Sequence, residues 1–149
     1  IKPESFEDQE KIDSIEIQIC NILERLELLE SVLISSFEFS FFPRIQHWCI
    51  KNKKKKYLRI APLQGVYQSN EFLVSLCKHQ KAYSLNPDES FVTSSLINEI
   101  QKNGFKIFPY TINDFDRIEN LISMGVNGII SDEPEMVREV IQNFKKIIT

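Results

Sequence analysis

No apolar run in this sequence approaches the roughly 20 residues that a membrane-spanning helix requires, so no membrane span is expected. The opening residues also lack the basic and then apolar order of a secretory signal; Glu4, Glu7 and Asp8 stand there instead. Cysteine is scarce. Cys20, Cys49 and Cys77 are odd in number and widely spaced, without a metal-ligand pattern. They are expected to be reduced, mostly buried thiols, which favours a cytoplasmic setting. Neither sign of charge dominates: 18 Lys and Arg face 21 Asp and Glu, a formal net charge of −3, so nucleic acid is not an expected partner. No linker rich in Gly, Ser or Pro is present, and no internal repeat beyond a strand–helix rhythm. What remains is an ordinary globular composition, 42% hydrophobic and 26% charged. A chain of 149 residues suffices for one compact domain that buries roughly two-thirds of its surface.

The rhythm is clearest at 104–134, which reads GFKIFPYTINDFDRIENLISMGVNGIISDEP. Lys106, Ile107, Phe108 and Pro109 predict a short strand, followed by Tyr110, Thr111, Asn113 and Asp114. Phe115, Ile118, Leu121 and Ile122 then share one helical face, and Gly125 lies just past its end. Val126, Ile129 and Ile130 predict a second buried strand, closed by Ser131 and Asp132. Such alternation implies parallel βα units, in which chemistry sits on the loops after the strands.

Upstream the same pattern continues. Ser5 or Asp8 can cap a first helix that carries Ile12, Ile15, Ile19, Ile22, Leu23 and Leu26 at helical spacing. Val32, Leu33 and Ile34 predict a buried strand ending in Ser35, Ser36 and Phe37. Further strands are expected at 57–62 and 82–85, with a helix at 71–79 turning Phe72, Leu73 and Leu76 inward. A helix at 93–103 buries Leu96, Ile97 and Ile100 and stops at Gly104, a left-handed cap. The last helix, after Pro134, shows Met136, Val137, Val140, Ile141, Phe144 and Ile147 on one face. The lysine run of Lys51, Lys53, Lys54, Lys55 and Lys56 falls between a helix and a strand, hence opposite the strand carboxyl ends. It reads as a solvated loop, with contact to an anionic surface as the other reading. His47, beside Trp48, and His79 both fall in helices rather than at strand ends, so each is expected on the surface or at a helix end.

The 104–134 segment resembles the carboxy-terminal signature of glycerophosphodiester phosphodiesterases, G-hydrophobic-x-V-x-x-W-T-V-N followed by G-V-D-G-I-I-T-D-x-P. Thr111, Ile112 and Asn113 stand for T-V-N, while Gly125 to Asp132 and Pro134 follow the second half. Tyr110 takes the tryptophan position, and Asn127 and Ser131 replace aspartate and threonine. Ser36 and Phe37 stand for an S-F pair followed by an acidic residue, here Glu38. Ile1, Lys2 and Pro3 would continue the family's E-I-K-P.

The resemblance implies a parallel α/β fold, part of a (β/α)8 TIM barrel, from a metal-dependent hydrolase of lipid and glycerol metabolism. That enzyme hydrolyses a glycerophosphodiester to glycerol 3-phosphate and an alcohol. It also implies substrate contacts from Lys2 to the phosphate, from Phe37 and Tyr110 as an apolar wall, and from Leu63 and Asn86 at strand ends. Phe37 and Tyr110 can equally be core, and Asn86, in Leu85-Asn86-Pro87, can orient its loop without touching substrate. Asn113 and Asp132 are expected to cap the helices behind them, with substrate contact as the other reading. The family's two histidines, from H-R-G and H-D, and its E-x-D carboxylates have no counterpart here, and the glutamate of E-I-K would precede Ile1. The expectation is therefore a carboxy-terminal portion, residues 1–149, of such a domain. No catalytic residue or metal ligand is expected in this chain, and a missing amino-terminal barrel segment would carry them. A divalent ion, Mg or Ca, is implied for the complete enzyme. The other readings are a noncatalytic half barrel serving as an interaction module, or another phosphodiesterase of the phospholipase C-like barrel type.

Overall fold

The computed structural model describes residues 14–54 and 58–148. Within them, strands and helices alternate as α1 (Ile15–Arg25), β1 (Leu33–Ser36), α2 (Phe41–Lys51), β2 (Arg59–Gln64), α3 (Asn70–Gln80), β3 (Ser84–Pro87), α4 (Ser94–Lys102), β4 (Lys106–Ile107), α5 (Phe115–Ser123) and α6 (Pro134–Ile148). The strands form one sheet in chain order β1-β2-β3-β4, with β2 parallel to β3 and β3 parallel to β4. Parallel neighbours require a crossover, and here each crossover is a helix.

Two compact units are distinguished, divided at Leu33/Ile34, Phe39/Ser40 and Arg59/Ile60. The first holds α1 packed against α2. Its buried contacts are Cys20, Phe42, Ile45, Trp48 and Cys49, with the Trp48 indole N–H donating to Asn21 Oδ1 at 3.0 Å. The Glu16 carboxylate is buried and pairs with Arg44. These contacts fix the rotation of α1. Glu16 and Cys20 face inward, whereas Ile15, Ile19, Ile22 and Leu26 are exposed, contrary to the expected apolar stripe. Ser5, Asp8 and Ile12 lie outside the described residues.

The second unit holds the sheet and α3 to α6. Paired residues on parallel strands point the same way, so the register Leu85 with Ile107 aims both side chains at one core. That core contains Leu73, Val74 and Cys77 of α3, Leu96, Ile97 and Ile100 of α4, and Ile118 and Leu121 of α5. Val137 and Val140 of α6 join it, Ile141 is exposed, and the Ile147 side chain lies outside the described residues. Phe72 does not join it: the stripe of α3 runs through Leu73, Val74, Cys77 and Gln80, which leaves Phe72 exposed. Phe115, at the first turn of α5, is exposed for a similar reason of helical phase. Thr93 caps α4 by accepting from Leu96 N–H at 3.1 Å, and Gly104 follows its end at φ +86°. Positive φ is available to glycine at little steric cost.

Two expected strands differ. β1 is only partly buried, as suits the first strand in the sheet order. Residues 126–130 run beside β4 without forming a strand. Asn127 N–H donates to Ile107 O and Ile130 N–H to Pro109 O, spacings of three residues against two, which is the offset of a bulge. Ile107 N–H is taken by the Asn127 side chain at 3.0 Å, and Pro109 has no N–H to give, so no regular ladder can form. Ile130 is consequently 38% exposed. Gly128 fits this close approach because a Cβ there would lie 2.8 Å from the Phe108 ring.

Candidate functional site

The carboxyl ends of the parallel strands bring several expected site residues together. β1 runs straight into Phe37, held in a turn where Glu38 N–H donates to Ser36 Oγ at 2.9 Å. Phe37 is 61% exposed, so it is not core. Tyr110 arrives three residues after β4, its backbone still tracking β3: Tyr110 N–H donates to Pro87 O at 3.0 Å, and Glu89 N–H donates to Tyr110 O at 2.8 Å. The Phe37 and Tyr110 rings meet edge to face, with centroids 6.0 Å apart and planes at 85°. Gly65 lies against both, since a Cβ on it would sit 3.1 Å from Phe37 Cε1 and 3.6 Å from the Tyr110 hydroxyl.

Leu63 and Asn86 are register partners on the sheet face opposite the helix core. Asn86 is fully buried within β3 rather than in a loop after it. Its Nδ2 donates to Ser35 Oγ at 2.9 Å, and its Oδ1 accepts from Ser84 Oγ at 3.0 Å. The amide thus ties β3 to β1 across β2. Leu63, beside Asn86 in the register, is half-buried.

Asn113 and Asp132 meet each other instead of capping helices. Asn113 Oδ1 accepts from Ser131 Oγ at 3.0 Å and from Asp132 N–H at 2.9 Å, and Asn113 Nδ2 donates to Asp132 Oδ2 at 2.9 Å. The cap of α5 is Asp114, whose Oδ1 accepts from Arg117 N–H at 2.8 Å, and Ser131 Oγ accepts from Glu133 N–H before α6. One residue of displacement decides this: Asp114 directly precedes the first helical residue, where a side-chain oxygen reaches the free N–H groups.

Sequence reasoning missed Gln64 and Asp88. The Gln64 carbonyl accepts from Tyr110 Oη at 2.9 Å and from Asp88 N–H at 2.8 Å, and its side-chain Nε2 donates to Val66 O at 3.1 Å. The available signal was Gly65 directly after the strand, a mark of close approach. Asp88 accepts from Ser90 Oγ and N–H, which hold its carboxyl below the usual range. Burial, and then the charge of Asp88, push the Tyr110 hydroxyl up. At neutral pH the first is an ionised acceptor and the second a protonated donor, so neither moves a proton readily.

The remaining candidates fall elsewhere. Lys2 lies outside the described residues, as do Ile1, Pro3, Lys55, Lys56 and Tyr57. Lys53 and Lys54 precede β2 at its amino end, with Lys54 paired to Glu24 and 5.6 Å from the Trp48 ring centroid. His47 is exposed within α2, and His79 is exposed in the last turn of α3. Among the described residues, no three His, Cys, Asp or Glu side chains converge as a metal site. No described helix is long and apolar enough to cross a membrane.

The sequence profile of the "Glycerophosphoryl diester phosphodiesterase family" matches residues 2–136. The chain belongs to this family. A glycerophosphodiester phosphodiesterase of Caldanaerobacter subterraneus subsp. tengcongensis is 29% identical over 130 residues, 86% of this chain and 49% of the relative. One of Bacillus altitudinis is 23% identical over 133 residues, 88% of this chain and 51% of the relative. The chain therefore spans about half the length of these relatives. Among solved structures, an Oleispira antarctica phosphodiesterase in complex with the product sn-glycerol-3-phosphate superposes with a TM-score of 0.69 at 20% identity, covering 85% of this chain and 50% of the other. The alternating parallel strands and helices are accordingly those of a TIM barrel, and the cluster of Phe37, Gly65 and Tyr110 lies at the strand ends where barrel sites are built.

Proposed function

We propose that this chain forms the carboxy-terminal half of a glycerophosphodiester phosphodiesterase barrel that releases glycerol 3-phosphate and an alcohol. The observation that carries the reading is the aromatic wall of Phe37 and Tyr110 at the carboxyl ends of the strands, in a chain matched by the family over residues 2–136. A flat, mostly apolar wall suits the carbon backbone of glycerol, while Lys2, at the lysine position of E-I-K, supplies the charge for the phosphate. Leu63 and Asn86 support the wall from the sheet. The Asn86 amide is already committed to Ser35 and Ser84, so it shapes the site without needing to touch the ligand.

The described residues do not by themselves fit a divalent ion. Its ligands, and the general acid and base, are assigned to a barrel segment outside this sequence. Three buried free thiols accord with a reducing, cytoplasmic setting. The test is release of glycerol 3-phosphate from glycerophosphodiesters by the protein that joins this chain to such a segment, with and without a chelator. Chelator-sensitive release supports the reading. A properly folded joined protein that releases none, with Mg or Ca supplied, overturns it in favour of a noncatalytic module.

A further inference from the structure

Tyr110 is the one aromatic in the cluster held at both ends. Its backbone is fastened to β3 through Pro87 O and Glu89 N–H, and its hydroxyl reaches over β3 to the last carbonyl of β2. The receiving Gln64 carbonyl is itself fixed, because Asp88 N–H occupies it from β3 and the Gln64 side chain holds the following loop at Val66 O. A ring tethered only at its Cβ would rotate about two side-chain torsions. With its hydroxyl bonded, Tyr110 instead offers Phe37 a fixed ring, and Gly65 leaves the room for that contact.

We propose that Tyr110 is a positioning residue whose hydroxyl, through the Gln64 carbonyl, clamps β2 to the segment after β4 and so holds the Phe37–Tyr110 wall in its ligand-ready geometry. This rests on the proposed function for its effect on substrate, but the clamp itself can be measured without turnover. A tyrosine hydroxyl is protonated at neutral pH, and burial and then the charge of Asp88 move its titration further up.

The experiment compares wild type, Tyr110→Phe and Gly65→Ala in the protein that contains the full chain. Amide hydrogen exchange is read at Asp88 and Gly65, and glycerophosphodiester turnover is read in parallel. For Tyr110→Phe, exchange at Asp88 rises roughly 3- to 10-fold and KM rises by a similar factor, the worth of one neutral hydrogen bond, with kcat within about twofold. Gly65→Ala displaces Phe37 and raises KM, yet leaves the hydroxyl bond and Asp88 exchange close to wild type. Unchanged Asp88 exchange in Tyr110→Phe overturns the clamp whatever the enzyme does. Faster exchange with unchanged KM overturns its role in positioning the wall. If the wild type shows no turnover while exchange responds as stated, the clamp stands and the proposed function falls.

Discussion

Replacing Asn86 by alanine removes a side chain that is fully buried and uses both ends of its amide. Each neutral hydrogen bond contributes about 0.5–1.5 kcal/mol net. The two partners respond differently. Ser35 is exposed and can turn to water, so losing the Nδ2 bond costs only its net value. Ser84 is fully buried, and its hydroxyl is left without the acceptor it uses now. An orphaned buried donor costs about 1–3 kcal/mol. With a small cavity added, Asn86→Ala should destabilise by roughly 2–4 kcal/mol. Ser84→Ala should cost roughly 1–2 kcal/mol by leaving Asn86 Oδ1 unpaired. The double variant should then fall short of the sum by about 1–2 kcal/mol, because the second substitution removes an orphan created by the first. Urea unfolding followed by far-UV circular dichroism reads all four corners of this cycle, provided the slope with denaturant is unchanged. A loss below about 0.5 kcal/mol for Asn86→Ala, or strict additivity with Ser84→Ala, would refute a buried hydrogen bond between Ser84 and Asn86 within β3.

Gly128→Ala drives a methyl into the Phe108 ring at 2.8 Å and should cost about 1–3 kcal/mol, with partial recovery in Gly128→Ala/Phe108→Leu; equal melting temperatures for wild type and the single variant would contradict the close approach. Gly104→Ala meets open space at φ +86°, so its expected loss of about 1 kcal/mol is backbone strain alone, and no change of Phe108 will recover it. Burial pushes the Cys77 thiol from its ordinary 9.0 up to about 12. The native thiol therefore stays neutral where the unfolded one ionises, so its contribution is complete below pH 9.0 and is lost as pH rises toward about 12; denaturant titrations of Cys77→Ala should show a shallower decline over that window, and an unchanged slope refutes the assignment. In the joined protein, Lys2→Ala should lower turnover roughly 10²- to 10³-fold, far more than Tyr110→Phe, and the reverse ranking in kcat/KM would discard the roles assigned to both.

Much of the fold was legible because period and punctuation agree within single elements. In α4, Leu96, Ile97 and Ile100 share a face between a Thr93 cap and a glycine stop, and the structure keeps all of these. Phase was harder to read than period. The isoleucines of α1 make a continuous helical stripe, yet the residues turned inward are Glu16, whose buried carboxylate pairs with the distant and partly exposed Arg44, and Cys20. Similarly, Val126, Ile129 and Ile130 have the composition of a strand. Whether they form one depends on the neighbour's free N–H groups, and Pro109 and the Asn127 side chain remove those.

The site divides along the same line. That Phe37 and Tyr110 share one end of the sheet could be read from motif order, since parallel βα units place each post-strand residue there whatever the packing. Their mutual geometry could not, because it depends on a main-chain carbonyl. Every residue except proline offers the same N–H and C=O, so no side-chain pattern singles out Gln64 as the acceptor that Tyr110 and Asp88 share. Asn86 shows the converse. Its side chain drew notice as part of a post-strand turn, but its register opposite Leu63 places it on the inner face. There an amide with a donor and an acceptor can join Ser35 and Ser84 on strands that are not neighbours. The polar residues near these strand ends therefore act first on one another. Asn86, Gln64 and Asn113 each bridge segments far apart in sequence, while the Phe37 ring, set edge to face with Tyr110, stays exposed.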